Sequence, residues 1–242
     1  GAHFMTNVGF TKRFWLSLLV NFGGMLGVLT LVRYIAHTNA YVYSVLALAW
    51  FVGLLMFDLK LFGGYVQAQG RVFKQQKGRH LLEVIILFIL LEVVVALARP
   101  VFRRFLPSET ISGIVQYHLP TDQLIGLVMS FFISIGDLIA AFVEELAYRY
   151  ESMYTFRTKG KLVTGIMVIV SSLLFGFSHY YNFNGSFVAT MPYVFAGLVL
   201  ALGYLKTKNF WVPALAHLLF NSIALLSTIF LLIVFIIQKI VG

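Results

Sequence analysis

LLEVIILFILLEVVVALA, Leu81–Ala98, holds no polar side chain other than Glu83 and Glu92. Its length is close to the about 20 mostly apolar residues that a helix needs to cross the hydrocarbon core of a bilayer. In lipid every backbone N–H and C=O must be paired by the chain itself, which leaves helices and closed barrels. A barrel strand alternates apolar and polar residues with period two. This run does not alternate, so it reads as a transmembrane helix.

Working outward, the same pattern recurs on both sides. Toward the N-terminus it covers Phe14–Val32 and Tyr41–Leu59; toward the C-terminus it covers Gln123–Tyr154, Leu162–His179, Phe187–Leu205 and Trp211–Ile237. Residues 123–154 and 211–237 are long for one perpendicular span, so they tilt or break. The expected fold is therefore all-α, a polytopic integral membrane bundle of seven or eight transmembrane helices. No soluble domain, repeat or low-complexity tract interrupts it. Residues 5–242 read as a single membrane domain with a polar, motif-bearing core at about 123–237. Gly1–Phe4 reads as an expression remnant before a native Met5, and His3 is set aside with it. The first run has no small-residue cleavage site and reads as a retained span, not a signal peptide.

Composition agrees. Of 242 residues, 60% are hydrophobic and 11% charged, against about 25% charged in soluble domains. The net charge of +9 is explained by topology, not by nucleic acid, which is not an expected partner. Lys12 and Arg13, the group Lys60 to Arg79, Arg157 to Lys161, and Lys206 with Lys208 all fall on one side if the spans alternate. The positive-inside rule makes that side cytoplasmic. Arg99, Arg103 and Arg104 run against this pattern. The chain has no cysteine, which excludes disulfides, thiolate ligands and a cysteine nucleophile.

Ionisable groups within spans are costly and default to functional candidates. Here they are Glu83, Glu92, Asp137, Glu144, Glu145, His179 and His217, joined by the amide of Asn221. Glu83 and Glu92 read as interfacial or paired. His37, His80 and His118 read as solvated loop residues. Glu144 and Glu145 point about 100° apart on a helix, which argues for separate roles. Arg149 lies four residues after Glu145, so those two read as an ion pair that leaves Glu144 free for chemistry. Asp137 is two turns before Glu144 on nearly the same stripe, and His217 and Asn221 share one face. Counted from the basic loops at about 1.5 Å per residue, Glu144 lies about 15 Å deep, His217 about 12 Å, Asn221 about 18 Å and His179 about 25 Å. The first three agree, and His179 is high.

A desolvated carboxylate gains basicity and serves as a general base toward water. Imidazole and amide groups stabilise an oxyanion. A glutamate and two histidines equally suit a zinc ion with an open position for water. HExxH is absent, as is a Gly-x-Ser-x-Gly elbow.

EELAYR (Glu144–Arg149), FGFSH (Phe175–His179) and HLLFN (His217–Asn221) read in order as EExxxR, FxxxH and HxxxN. Together they resemble the CPBP family, the CAAX proteases and bacteriocin-processing enzymes also called Abi, over about Phe131–Leu225. The resemblance implies intramembrane hydrolysis of a peptide bond in a membrane peptide or membrane protein. It implies that Glu144 activates water, that His179 is the second catalytic residue, and that His217 and Asn221 form or assist the oxyanion site. Glu145, Arg149 and Phe175 would support them, with Asp137 nearby. Members are called metalloproteases, and a metal-free glutamate mechanism is also proposed, so zinc on Glu144, His179 and His217 stays open. Short loops suggest a bacterial plasma-membrane protein, with bacteriocin processing, immunity or peptide signalling as context. The rival classes are a non-catalytic immunity or scaffold protein and a transporter. Water must reach the site, so a polar cavity opening to the cytoplasmic half is expected.

Overall fold

The computed structural model describes residues 8–241; the reading of Gly1–Phe4, His3 included, lies outside the described residues. The main helices are α1 (Lys12–Ala36), α2 (Ala40–Gln75), α3 (Lys77–Phe105), α4 (Leu124–Lys159), α5 (Lys161–Phe177), α6 (Val188–Thr207) and α7 (Trp211–Val241). Six are long and apolar enough to cross a membrane, and α5 is a shorter apolar helix. The described residues contain no strand, so the fold is all-α.

The opening stretch shows why these helices sit in lipid. Val84, Leu87, Leu91 and Val95 are buried at helical spacing, while Leu82, Ile86, Ile89, Val93 and Leu97 face outward. A helix apolar on every side needs an apolar surround. The chain breaks where the sequence supplies end signals. Thr11 Oγ1 accepts the Phe14 amide, and Asn39 Oδ1 accepts those of Tyr41 and Val42, both as N-caps. Gly160, at φ +100, separates α4 from α5, a conformation that glycine adopts without steric cost. Helix α2 runs well past Leu59 to Gln75. Apolar content marks the lipid-crossing part of a helix, not its end, and residues such as Lys60, Gln67 and Arg71 continue the helix in a polar setting.

Helix α4 lies at the centre, against α2 on one side and α7 on the other; α5 pairs with α6, and α3 covers α6 and α7. The α5–α6 pair is closely packed. A Cβ on Gly176 would lie 2.2 Å from Val194 Cγ2 and 2.9 Å from its backbone nitrogen, the small-residue packing expected between membrane helices. One expected loop group is corrected here. His80 is buried, stacks on Phe73, and bonds through Nδ1 to Glu83 at 2.8 Å. The cause is that α3 starts at Lys77, so His80 lies on a helix face and not in a loop. Glu83, expected at an interface or paired with a neighbouring helix, is paired within its own helix, with Arg79 as its second partner.

Candidate active site

Glu144 is the last residue of α4 before the helix widens. Residues Glu145–Glu151 form a π-helical turn, closed by the Ser152 amide on the Ala147 carbonyl at 3.1 Å and by Ser152 Oγ on the same oxygen at 2.8 Å. Such turns shift the side-chain register within a helix and are frequent at functional sites. Here the turn is wholly buried.

Two imidazoles converge on the Glu144 carboxylate. His179 Nε2 lies 3.9 Å from one oxygen and His217 Nε2 lies 3.7 Å from the other. Their far nitrogens fix the tautomers. His179 Nδ1 lies 2.8 Å from the Phe175 carbonyl, and His217 Nδ1 lies 2.8 Å from Glu145 Oε1. A carbonyl and a carboxylate only accept, so each Nδ1 is assigned the proton, and each neutral Nε2 presents a lone pair to Glu144. The gaps exceed a direct hydrogen bond of about 2.7–3.2 Å. They leave room for a water, whose two hydrogens can serve the Glu144 carboxylate and one of the imidazoles.

The depth discrepancy at His179 is resolved by side-chain direction. Helical side chains tilt toward their own N-terminus, so Glu144 reaches toward the end where α4 begins. His179 lies beyond α5 and folds back onto Phe175. The adjacent carboxylates of Glu144 and Glu145 face different atoms of one ring. One imidazole, that of His217, has a nitrogen facing each carboxylate.

Phe175 is the packing hub. Its ring meets His179 and His217 edge-on, at centroid separations of 4.9 and 5.4 Å. The Arg149 guanidinium lies 4.0 Å from its centroid. Arg149 is fully buried, and its Nε stands 3.5 Å from Glu145 Oε2. The expected pair is thus present, but without a hydrogen bond to any guanidinium nitrogen among the described residues. Asn221 Nδ2 donates to the Asp137 carbonyl at 2.9 Å.

Glu144, His179, Asn221 and Asp137 border a cavity of about 400 Å³. Its remaining wall includes Tyr43 near the start of α2, exposed Arg99 near the end of α3, and exposed Asn182 after α5. Those helix ends are opposite the basic clusters. The expected opening toward the basic, cytoplasmic half is therefore corrected: α4 enters the bundle from the other side, and its stripe of Asp137 and Glu144 faces that way.

The donor set has the types that zinc accepts, with Glu145 behind His217 as an outer-shell partner. The spacing does not fit. Zinc bonds of about 2.0–2.1 Å imply tetrahedral ligand separations of about 3.4 Å, below the 3.7 and 3.9 Å found. Among the described residues no three His, Asp or Glu side chains are arranged to hold a metal.

Two residues escaped the sequence reading. Tyr193 of α6 stacks on His179, with ring centroids 4.5 Å apart and planes 7° apart; nothing in its surrounding sequence marks it. Asp58 is fully buried and accepts from Asn21 Nδ2 at 2.9 Å. Its charge within an apolar run was the available signal, obscured by placing the end of the span at Leu59. Glu92 and Arg99 also line the cavity.

Residues 123–223 match the family model described as type II CAAX prenyl endopeptidase, Rce1-like. No curated protein and no solved structure matches the chain.

Proposed function

We propose, from the match of residues 123–223 to the type II CAAX prenyl endopeptidase model, that this integral membrane protein is an endopeptidase that cuts a membrane-associated peptide or protein with a glutamate-activated water. The observation that carries the reading is the convergence of two histidine Nε2 atoms, from different helices, on the buried carboxylate of Glu144.

In this mechanism the water donates one hydrogen to Glu144 and the other to an imidazole Nε2, which leaves a lone pair for the attack. Glu144 removes one proton as the water oxygen bonds to the scissile carbonyl carbon. The second amide hydrogen of Asn221, not used on Asp137, is available to the developing oxyanion. As the tetrahedral intermediate collapses, the C–N bond breaks and Glu144 returns its proton to the departing amine. Glu145 holds the His217 ring in position, as a carboxylate does behind a catalytic histidine elsewhere. Zinc on Glu144, His179 and His217 would require those groups to draw together, and bound metal would supply Lewis-acid activation of the water.

The test is cleavage of a membrane-peptide library, with prenylated and unprenylated members, by the purified protein and by Glu144→Gln. Cleavage absent in the variant and retained by wild type under chelation supports the metal-free mechanism. Loss in both arms assigns the same three residues to a metal. Cleavage that persists in Glu144→Gln removes Glu144 from the chemistry. Flux of a solute in proteoliposomes without cleavage would instead favour transport.

A further inference from the structure

We infer that a groove at the opposite end of the molecule from the cavity mouth binds the headgroup of an anionic phospholipid. It lies between the last turn of α4, the start of α5 and the end of α6, and has a volume of about 680 Å³. Three cations surround it, Arg157, Lys161 and Lys208, and its lining contains no acidic residue. None of the three has an acidic partner within ion-pair distance among the described residues. The inner wall is apolar, formed by Val168, Leu202 and Leu205. Leu202 is 52% exposed. Cations at the rim and aliphatic side chains beneath reproduce the order of a phospholipid, phosphate first and acyl chain after.

The site is built rather than incidental. Arg157 Nη1 donates to the Tyr154 carbonyl at 2.9 Å, and its guanidinium lies 4.0 Å from the Tyr154 ring centroid, so its position is set in advance. Lys208 occupies a left-handed conformation at φ 56 as the residue closing α6. Glycine or asparagine is usual at such a place. A lysine stands there against backbone preference, at the groove rim. The N-terminus of α5, with its unpaired amides and positive dipole end, opens beside them. A Cβ on Gly165 would meet no atom within 4 Å, so the groove floor is open there.

Basic pockets between helices on the cytoplasmic side recognise anionic headgroups, and the positive-inside rule puts this end on that side. Phosphate charge complementarity and the apolar wall together favour a lipid over a free phosphate or a second protein copy.

The experiment equilibrates the full chain in detergent micelles containing equal phosphatidylglycerol and phosphatidylcholine, and reads retained lipid by native mass spectrometry. Wild type is expected to retain phosphatidylglycerol preferentially. Lys208→Gly removes a cation while suiting the backbone, and is expected to lower that preference about fivefold with no loss of thermal stability. Gly165→Leu fills the floor with every charge intact and is expected to abolish the preference. Unchanged preference in both variants overturns the proposal. So does displacement of the lipid by millimolar inorganic phosphate, which assigns the cations to a free anion. A dimer that Gly165→Leu dissociates would assign the groove to a second copy.

Discussion

Removing the charge of Glu145 tests how the site is held. Glu145 and Arg149 are both fully buried, with Arg149 Nε 3.5 Å from Glu145 Oε2. At that separation, and at an effective dielectric of about 20, two unit charges attract by about 5 kcal/mol. Breaking a buried pair from one side costs about 3–5 kcal/mol, because a charge is left uncompensated. Glu145→Gln should therefore lower stability by about 3–5 kcal/mol. Arg149→Met should cost a comparable amount by the same mechanism. The double variant should cost far less than the sum, since a buried pair replaced by neutral groups is often tolerated. Reversible unfolding of the four proteins in one detergent gives the coupling energy directly. Peptide cleavage supplies the second readout. Stability should recover in the double variant while cleavage should not, because Gln at 145 no longer fixes the proton on His217 Nδ1, where the ring lies 2.8 Å from Glu145. Additive losses would refute the pair as a unit. Recovered cleavage would refute the role given to Glu145 in orienting His217.

Further outcomes follow from single contacts. Asn221→Ala should lower kcat about 10²–10³-fold, the usual loss for one oxyanion donor, with little change in KM. Tyr193→Leu removes the ring stacked on His179 and should reduce kcat/KM by up to about tenfold; Tyr193→Phe should keep it. Asp58→Ala leaves buried Asn21 only its bonds to Ser17 and should lower unfolding stability by about 0.5–1.5 kcal/mol without touching cleavage. Gly176→Val drives a side chain into Val194 and should cost about 1–3 kcal/mol or more, measured by thermal shift.

Much of the fold was legible because membrane crossing imposes long apolar runs, and those runs are unmistakable from Phe14 to Ile237. Helix limits were less so, as α2 shows by continuing to Gln75 after its apolar segment ends. The groups of the site were legible because charge inside an apolar helix is rare: Glu144, Glu145, His179 and His217 stand out for that reason alone. Their arrangement was not. An α-helical ruler misplaces His179, because it counts rise and ignores the direction of the Glu144 side chain and the fold-back of His179 onto Phe175. It also misses the π turn at Glu145–Glu151, which no composition rule announces. Tyr193 shows a further limit. An aromatic residue in an apolar helix carries no mark that distinguishes a catalytic neighbour from lipid-facing packing.

The cavity wall contains a division of labour. The groups proposed to do chemistry all lie within the family-matched segment 123–223, but Met25, Leu29, Tyr43, Phe51, Glu92 and Arg99 come from the first hundred residues and face the same space. The chamber is thus completed by helices outside the segment that holds the groups of the proposed chemistry. Under the proposed function, substitutions on the early helices would reshape this space without touching those groups. An isolated 123–223 segment, by the same token, would carry those groups beside a chamber missing more than a third of its lining residues.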